Sequence, residues 1–410
     1  MTRGTRAAVS VASIAAIVAL ITPPAAVARP EPHRSTTPPS TSSSTLSRAD
    51  TAKLNTALRE AWAGLPGGAL ATVIVPGRGR WVGSVGYGDV ERLTAMRPEM
   101  QSRIGSVTKT FTAMLVLQQV DAGRLRLNDR LNRWYPAIPK SDEITIAMLL
   151  NMSSGIAEYN SDVLSVATEL LADPKRRYQP DDLIARGAAL PREFDVPGTG
   201  FAYSNTNTVI LGRILEKVTG TSYASLLEKR LTRPLGLSRT FVDVEGKMRA
   251  PYAQSYSDVF TFIPPGDDPP IGRTTNWGQS FFWSAGGNAS TIDDLGRWGR
   301  TLGTGRGTIS ENLAQQRLTN CSPPAVQTPQ ITLAYCLGLI VVRDTNSGRV
   351  LTLWHNGRVF GAVAYVGYYP ATGAVVAVMA NSDMAGPDGE YVSMRSKELI
   401  EAAVPTLLGL

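Results

Sequence analysis

Helix-spaced and alternating apolar positions divide the first part of the chain into recognisable elements. A helix-spaced run over 54–62 predicts a first helix. Two β-rich runs on either side of a Pro- and Gly-containing turn predict a β-hairpin with strands over 69–75 and 81–87. Apolar residues then recur at helical spacing over 106–121, which predicts an amphipathic helix that stops at Gly123.

The rest of the chain changes from a helical to a β-rich pattern. Between about 125 and 265 helical segments alternate with Pro- and Gly-rich loops, and the clearest helices are 210–218 and 223–231. Later strands are predicted over 334–342, 350–354, 362–369 and 374–380, and a last helix over 391–408. This order indicates an α+β fold in which both chain ends build one antiparallel sheet flanked by helices. The mainly helical stretch is then an inserted lobe, and a cleft is expected where the lobes meet.

The N-terminus has the pattern of an export signal. Arg3 and Arg6 precede an apolar run over 7–21, and small residues follow at 26–28. We therefore predict a signal peptide over 1–28 and a secreted or extracytoplasmic location. An uncleaved membrane anchor is the alternative, although the run is shorter than the about 20 residues that a spanning helix needs. No stable membrane span is expected after cleavage.

Composition fits one exported domain behind a flexible tether. Residues 29–47 are rich in Pro, Ser and Thr and predict a disordered linker, so the folded domain is expected over 48–408. Loss of Arg3 and Arg6 lowers the formal charge from +7 to +5. The basic residues are scattered rather than clustered, which indicates a solvated surface and no nucleic-acid partner.

Cysteine and histidine usage limits the possible chemistry. Cys321 and Cys336 are the only cysteines, and in an exported chain this pair predicts a disulfide rather than two free thiols. Of the two histidines, His33 lies in the linker, which leaves His355 alone in the folded domain. With no ligand cluster and no phosphate-loop or dinucleotide motif in context, neither a metal nor a cofactor is expected.

Ser106 and Lys109 form the only Ser-x-x-Lys of the chain, at the start of a predicted helix. Residues three apart on a helix share a face, so the hydroxyl and the amine lie within reach of each other. The pKa of a partly desolvated lysine can be lowered toward neutrality, so Lys109 can share the serine proton, and the helix N-terminus favours negative charge as an oxyanion site requires. The motif alone is also compatible with an ordinary surface helix start.

Tyr203 and Asn205 follow a Gly- and Pro-containing loop. Beside a lysine ammonium the phenolate of Tyr203 would be favoured, so this residue is predicted to act as base toward Ser106 and later as acid. The Asn205 amide could bind a substrate carbonyl. The alternative is a buried tyrosine with a hydrogen-bonded hydroxyl.

His355 and Gly357 follow a predicted strand. The histidine could donate to Tyr203 or to a substrate carboxylate, and Gly357 would let a ligand approach the backbone. The alternative is a histidine that only caps a strand edge.

Together the three elements occur in the order and at the wide spacing found in serine penicillin-recognising enzymes, where Ser-x-x-Lys precedes a Tyr- or Ser-based box and a His-x-Gly or Lys-Thr-Gly box. With its Tyr and His versions the chain resembles class C β-lactamases and D-alanyl-D-alanine carboxypeptidases. The segments 103–105, 149–155, 284–287 and 293–295 are also similar to this family. The resemblance extends from about Leu46 to the C-terminus and implies a β-lactamase/transpeptidase-like fold.

The resemblance implies roles for the matching residues. The implied catalytic residues are Ser106, Lys109 and Tyr203, and the implied substrate-binding residues are Asn205, His355 and Gly357. The oxyanion hole would consist of the backbone N–H groups of Ser106 and Arg358, and the Arg358 side chain could also steer a substrate carboxylate. Phe281, Phe282 and Trp283 could line the acyl pocket, and Trp283 is the one predicted to bind substrate. The alternative is that the three aromatic side chains pack in the core.

Two departures from the family bear on function. The family often has His-Thr-Ser-Gly where this chain has Met152-Ser153-Ser154-Gly155. The third box carries His rather than Lys, which favours peptidases and esterases over efficient β-lactamases. The expected function is a D-alanyl-D-alanine carboxypeptidase-like serine hydrolase acting on peptidoglycan stem peptides, with β-lactams as further ligands. A β-lactamase, a short-chain esterase and a non-catalytic receptor for penicillin or envelope fragments are the alternatives.

Overall fold

The computed structural model describes residues 45–257 and 272–384. The predicted signal peptide over 1–28, nearly all of the linker over 29–47 and the last helix over 391–408 lie outside the described residues. None of the described helices is long and apolar enough to cross a bilayer.

Fourteen strands are present in the described residues. In chain order they are β1 (Gly68–Val75), β2 (Gly79–Asp89), β3 (Thr94–Ala95), β4 (Ser102–Arg103), β5 (Phe241–Val242), β6 (Tyr256–Ser257), β7 (Gly272–Arg273), β8 (Asn288–Ser290), β9 (Val326–Gln327), β10 (Ile331–Cys336), β11 (Leu339–Asp344), β12 (Val350–Val359), β13 (Ala362–Tyr369) and β14 (Ala374–Ala380). Nine of them form one antiparallel sheet in the order β3-β2-β1-β14-β13-β12-β11-β10-β9.

Ten α-helices accompany these strands in the described part of the chain. They are α1 (Arg48–Ala61), α2 (Thr108–Asp121), α3 (Ile146–Leu150), α4 (Val163–Ala172), α5 (Pro180–Ala189), α6 (Asn205–Thr219), α7 (Tyr223–Leu227), α8 (Trp283–Gly286), α9 (Ile292–Thr304) and α10 (Glu311–Thr319). A 3-10 turn over Gly105–Val107 precedes α2.

The predicted sheet, built from both chain ends, is confirmed. β1 pairs with β14 in a register that runs from Ala69 opposite Ala380 to Ile74 opposite Val375. Because side chains alternate between the faces of a strand, β1 contributes to two buried clusters. Leu70 packs on the face that also receives α2 and α9, whereas Ala69 packs on the opposite face with α1.

One predicted strand is wrong. The apolar run over 334–342 forms two strands, β10 and β11, which pair antiparallel with Cys336 opposite Leu339. Gly338 lies between them with φ +84°, a conformation that glycine tolerates best. The predicted disulfide between Cys321 and Cys336 is present and joins the segment after α10 to the end of β10.

The helix after Ser106 is present, but its predicted amphipathic character is wrong. From Thr108 to Leu117 every side chain of α2 is buried. Phe111 stacks on Trp298 of α9 with ring centroids 3.8 Å apart, and the Thr112 hydroxyl lies 2.7 Å from that of Tyr223 in α7. The helix is therefore enclosed between the sheet side and the helical lobe, so it has no solvent face that needs polar residues.

The inserted segment supplies α3 to α7 and then returns to the sheet side of the molecule. β5 pairs with β8, and β8 pairs with β4 directly before the nucleophile turn. The buried Arg103 of β4 forms an ion pair with Asp243, and its guanidinium also donates to the backbone oxygens of Thr274, Thr275 and Trp277. These bonds fix the chain that enters the nucleophile turn.

Candidate active site

Ser106 lies in a tight turn that is held against strand β12. Gly105 has φ +49°, and a Cβ added there would lie 2.6 Å from the backbone nitrogen of Arg358. A Cβ added to Gly357 would lie 2.0 Å from the Ile104 oxygen and 2.7 Å from the Ser106 nitrogen. The two glycines therefore allow direct backbone contact, and this contact brings the N–H groups predicted as oxyanion donors, those of Ser106 and Arg358, onto facing segments.

The same contact changes the role predicted for Gly357. Its missing side chain makes room for the protein's own backbone at Ile104 and Ser106, rather than for a ligand. Gly357 remains part of the site because its lack of a side chain allows the backbone contact on which the oxyanion geometry depends.

Lys109 is buried in the centre of the site, 1% exposed. Its Nζ lies 2.9 Å from Ser106 Oγ, 2.5 Å from Asn205 Oδ1 and 2.8 Å from the backbone oxygen of Ala285. An amide oxygen and a backbone oxygen can only accept hydrogen bonds, whereas the serine hydroxyl can also donate. The three neighbours can accept the three N–H groups of an ammonium, and a neutral amine also fits them when its lone pair faces the Ser106 hydroxyl.

Electrostatics favour this neutral form near pH 7. Burial lowers the pKa of Lys109 to about 7, and the Glu158 carboxylate partly opposes the effect. The site thus holds a lysine that can accept the proton of Ser106 at neutral pH.

Tyr203 borders Lys109 and Ser106 but does not ionise as predicted. The Lys109 Nζ lies 4.9 Å from the centre of the Tyr203 ring. Burial raises the pKa of Tyr203 above its usual value, and the hydrogen bond with Ser106 lowers it by less. The predicted resting phenolate is therefore wrong, and Tyr203 is a neutral phenol that can donate or relay a proton.

Asn205 begins helix α6 and is oriented by two partners. Its Oδ1 accepts from Lys109, which turns the Nδ2 group away toward Asn160, whose Oδ1 lies 3.5 Å from it. Its backbone N–H donates to the Glu158 carboxylate at 2.5 Å. The contact of this amide with a substrate carbonyl stays a prediction.

His355 is placed behind the site, where it cannot donate to a substrate or to Tyr203. The ring is 1% exposed, with Nδ1 2.5 Å from the Asn356 oxygen and Nε2 2.9 Å from the Tyr335 hydroxyl. A backbone oxygen can only accept, so Nδ1 carries the hydrogen and Nε2 accepts from Tyr335. Burial and the charge of Lys109 lower the pKa of His355 to about 3, which keeps the ring neutral. The predicted substrate contact of His355 is therefore wrong.

The Arg358 side chain is already paired. Its Nε lies 3.2 Å from Oδ2 of the buried Asp383, whose Oδ1 accepts from the Gly361 backbone. This partner offsets the charge that was expected to steer a substrate carboxylate. The backbone nitrogen of Arg358 lies against Gly105, the residue before Ser106.

The aromatic residues before α8 divide between core and site border. The ring of Trp283 lies 5.3 Å from that of Tyr223 and packs against Gly212 of α6, so the predicted substrate contact of Trp283 is wrong. Phe281 is fully buried. Phe282 is half-buried and its ring lies 6.0 Å from that of Phe360, just after β12.

Three contacts of the site had no clear signal in the sequence. Glu158 is an isolated acid in a loop, Tyr335 lies within an apolar strand, and Ala285 contributes only its backbone oxygen. Ala285 lies in the segment 284–287 that is similar to the family, and this similarity indicated that the segment could belong to the site. At the departure from His-Thr-Ser-Gly, Met152 is buried and its sulfur lies 3.5 Å from Asn207 Nδ2.

Comparison with known proteins identifies the family and the fold. The profile of the family described as "Beta-lactamase" matches residues 54–399. "Penicillin-binding protein 4" of Amycolatopsis lactamdurans is 29% identical over 300 residues, which are 68% of this chain and 72% of that protein. "Protein flp" of Staphylococcus aureus (strain COL) is 30% identical over 179 residues, 42% of this chain and only 34% of that protein. The crystal structure of a D-stereospecific amidohydrolase from Streptomyces sp. is 29% identical, with a TM-score of 0.73, and the match covers 88% of this chain and 99% of that chain.

Proposed function

The chain belongs to the beta-lactamase family, and from that premise we propose that this serine hydrolase cleaves amide bonds next to D-configured residues through an acyl-enzyme at Ser106. The leading reaction is D-alanyl-D-alanine carboxypeptidase-like cleavage of peptidoglycan stem peptides. β-Lactams are expected to acylate the same serine. The resemblance to penicillin-binding protein 4 supports this choice of substrate.

The hydrogen-bond arrangement of Lys109 carries the proposal. Two of its three neighbours, Asn205 Oδ1 and the Ala285 oxygen, are obligate acceptors, and the third is the Ser106 hydroxyl. A neutral lysine then has one direction left for its lone pair, toward the proton of Ser106.

The chemistry follows from these positions. Ser106 Oγ attacks the substrate carbonyl carbon while its proton passes to Lys109, and the N–H groups of Ser106 and Arg358 bind the developing oxyanion. As the C–N bond breaks, the leaving nitrogen takes a proton from the Tyr203 hydroxyl, which regains one from the Lys109 ammonium. A water molecule then attacks the ester by the same path, returns Ser106 and releases the acid.

A D-amino-acid amide is the second candidate substrate, favoured by the charges around Ser106. Arg358 is paired with Asp383, and His355 is neutral and buried, so neither offers an unshared positive charge to a substrate carboxylate. The half-buried Glu158 places a carboxylate beside Asn205, which suits a substrate ammonium group. The similarity to a D-stereospecific amidohydrolase supports this alternative.

One panel of substrates tests these proposals. Wild type, Ser106→Ala and a control variant at the exposed Ser84 of β2, Ser84→Ala, are incubated with a D-Ala-D-Ala peptide, a D-amino-acid amide, a fluorescent penicillin, a chromogenic cephalosporin and a short-chain ester. Covalent labelling and product release are both measured. We expect D-alanine release by wild type and Ser84→Ala, and none by Ser106→Ala.

Each other outcome points to a different reaction. Ammonia release from the amide without D-alanine release would replace the carboxypeptidase by an amidase. Turnover of only cephalosporin or ester would assign a β-lactamase or an esterase. Stoichiometric labelling without any turnover would indicate a receptor, and full activity of Ser106→Ala would refute the mechanism.

Export is part of the proposal. It is supported by the basic start, the apolar run over 7–21 and the small residues at 26–28. N-terminal sequencing of the protein from the culture medium and from the membrane fraction tests it. A mature chain that begins near residue 29 is expected in the medium, whereas an intact N-terminus in the membrane fraction would support an anchor.

A further inference from the structure

Glu158 connects the loop after α3 to the catalytic groups through two backbone hydrogen bonds. Its Oε2 accepts from the Asn205 N–H at 2.5 Å and its Oε1 accepts from the Asn160 N–H at 3.2 Å. Asn205 in turn accepts from Lys109 through Oδ1. One carboxylate therefore fixes the residue that takes one of the three hydrogen bonds of Lys109.

The position of Glu158 is also that of a helix cap. Asn205 is the first residue of α6, a helix of 15 residues, and the preceding Ser204 uses its hydroxyl on the Ala157 oxygen instead of capping the helix. An acceptor for the first N–H groups is then needed, and a carboxylate suits the positive end of the helix dipole. Glu158 supplies it and thereby sets the direction in which Asn205 enters the site.

We propose that Glu158 is a positioning residue of this active site: its carboxylate holds the first residue of α6 and thereby orients the Asn205 side chain toward Lys109. The inference rests on the proposed acylation of Ser106. Titratable groups that face Lys109 from the surrounding elements include Tyr203 before α6 and His355 on β12, with Tyr159 behind Glu158.

The electrostatic balance agrees with this assignment. Burial is the main cause that lowers the pKa of Lys109, and the charge of Glu158 opposes it. Burial raises the pKa of Glu158, while the Asn205 and Asn160 N–H groups and the charge of Lys109 favour its ionised form. Tyr203 is held neutral and His355 is uncharged, so Glu158 supplies the negative charge that acts on Lys109 from this side.

Substitution of Glu158 by glutamine tests the inference, because it keeps the shape and removes the charge. The titration of Lys109 is followed by NMR of ε-¹³C-labelled lysine, assigned with Lys109→Met, without any substrate. Because the charge of Glu158 raises the pKa of Lys109, we expect Lys109 in Glu158→Gln to titrate about one pH unit lower than in wild type. Glu158→Asp keeps the charge and should stay nearer to wild type, and the exposed Glu193→Gln is the matched control.

The acylation rate of Ser106 by a fluorescent penicillin is measured on the same variants from pH 5 to 9. Its acidic limb should move with the NMR midpoint. The plateau should fall in Glu158→Asp, whose shorter side chain does not reach the Asn205 N–H, and less in Glu158→Gln, which keeps one acceptor oxygen. An unchanged Lys109 midpoint in Glu158→Gln, or equal shifts in the Gln and Asp variants, overturns the inference. A shifted midpoint in a protein that no acyl probe labels overturns the proposed function and leaves the inference standing.

Discussion

Replacement of Gly357 by alanine tests whether the contact between β12 and the nucleophile turn creates the oxyanion site. The added Cβ would lie 2.0 Å from the Ile104 oxygen, and ordinary contact begins near 3.4 Å, so the two segments have to separate by about 1.4 Å. Both neighbours are backbone atoms within the buried part of the site, which leaves no flexible side chain to move instead.

The expected effects on rate and stability differ in size. A displacement of about 1 Å in an active site costs about 10²-fold in rate, and loss of one oxyanion donor costs about 10²–10³-fold. We therefore expect Gly357→Ala to slow acylation of Ser106 by at least about 10²-fold. Overpacking of this kind destabilises a protein by about 1–3 kcal/mol, so most of the molecules should still be folded.

The assay measures the rate of Ser106 labelling by the acylating probe that reacts with wild type, together with urea unfolding. Gly348→Ala is the matched control, since Gly348 has φ +69° and a Cβ there meets nothing within 4 Å. It should cost about 1–2 kcal/mol of stability through backbone strain and leave the labelling rate unchanged. Labelling of Gly357→Ala within about twofold of wild type would refute the argument, because the overlap would then have relaxed without moving the donors.

Four further predictions follow from buried groups. Labelling of wild type should increase with pH around a midpoint near 7, the pKa to which burial lowers Lys109, and Lys109→Met should lose about 10²–10⁴-fold at every pH. Because the pKa of His355 falls to about 3 in the folded protein, stability should decrease as the pH falls below the unfolded value near 6.5; urea unfolding at pH 7.5 and 5 should show a loss of about 2 kcal/mol that His355→Gln removes. Asp243→Asn should cost about 3–5 kcal/mol of unfolding free energy by leaving Arg103 buried and unpaired, and a cost below about 1 kcal/mol would contradict this. Trp283→Ala should cost about 3–5 kcal/mol without changing the ratio of rates for two acyl probes of different size, whereas a changed ratio would return Trp283 to the acyl pocket.

The spacing of residues along the chain correctly predicted those features that depend only on residues nearby in sequence. The hairpin of β1 and β2 follows from alternation and a turn, and Ser106 and Lys109 face each other because three residues separate them on a helical turn. The burial of α2 on all sides could not be predicted from this spacing. Its polar-looking positions, such as Thr112, are buried because partners distant in sequence cover them.

Predictions of strand bounds and of side-chain roles were wrong where they depend on the three-dimensional surroundings of a residue. Gly338 is a single residue in an apolar run, so periodicity extended one strand through what is a turn. For His355, no pattern along the chain indicated that the Tyr335 hydroxyl would bind its Nε2. The sequence also did not reveal Glu158 because an isolated acid in a loop is usually solvated.

Burial also decides which group can act as the base. It lowers the pKa of Lys109 to about 7, raises that of Tyr203 above its usual value and lowers that of His355 to about 3. Desolvation always disfavours the charged form, so one cause moves His355 below the physiological range, moves Tyr203 further above it and brings Lys109 into it. Of these three groups, only Lys109 changes charge between pH 5 and 9. The rate of acylation should therefore rise through a single acidic limb. Lys109, rather than the Tyr203 predicted from the sequence, is the group that we propose as the base toward Ser106.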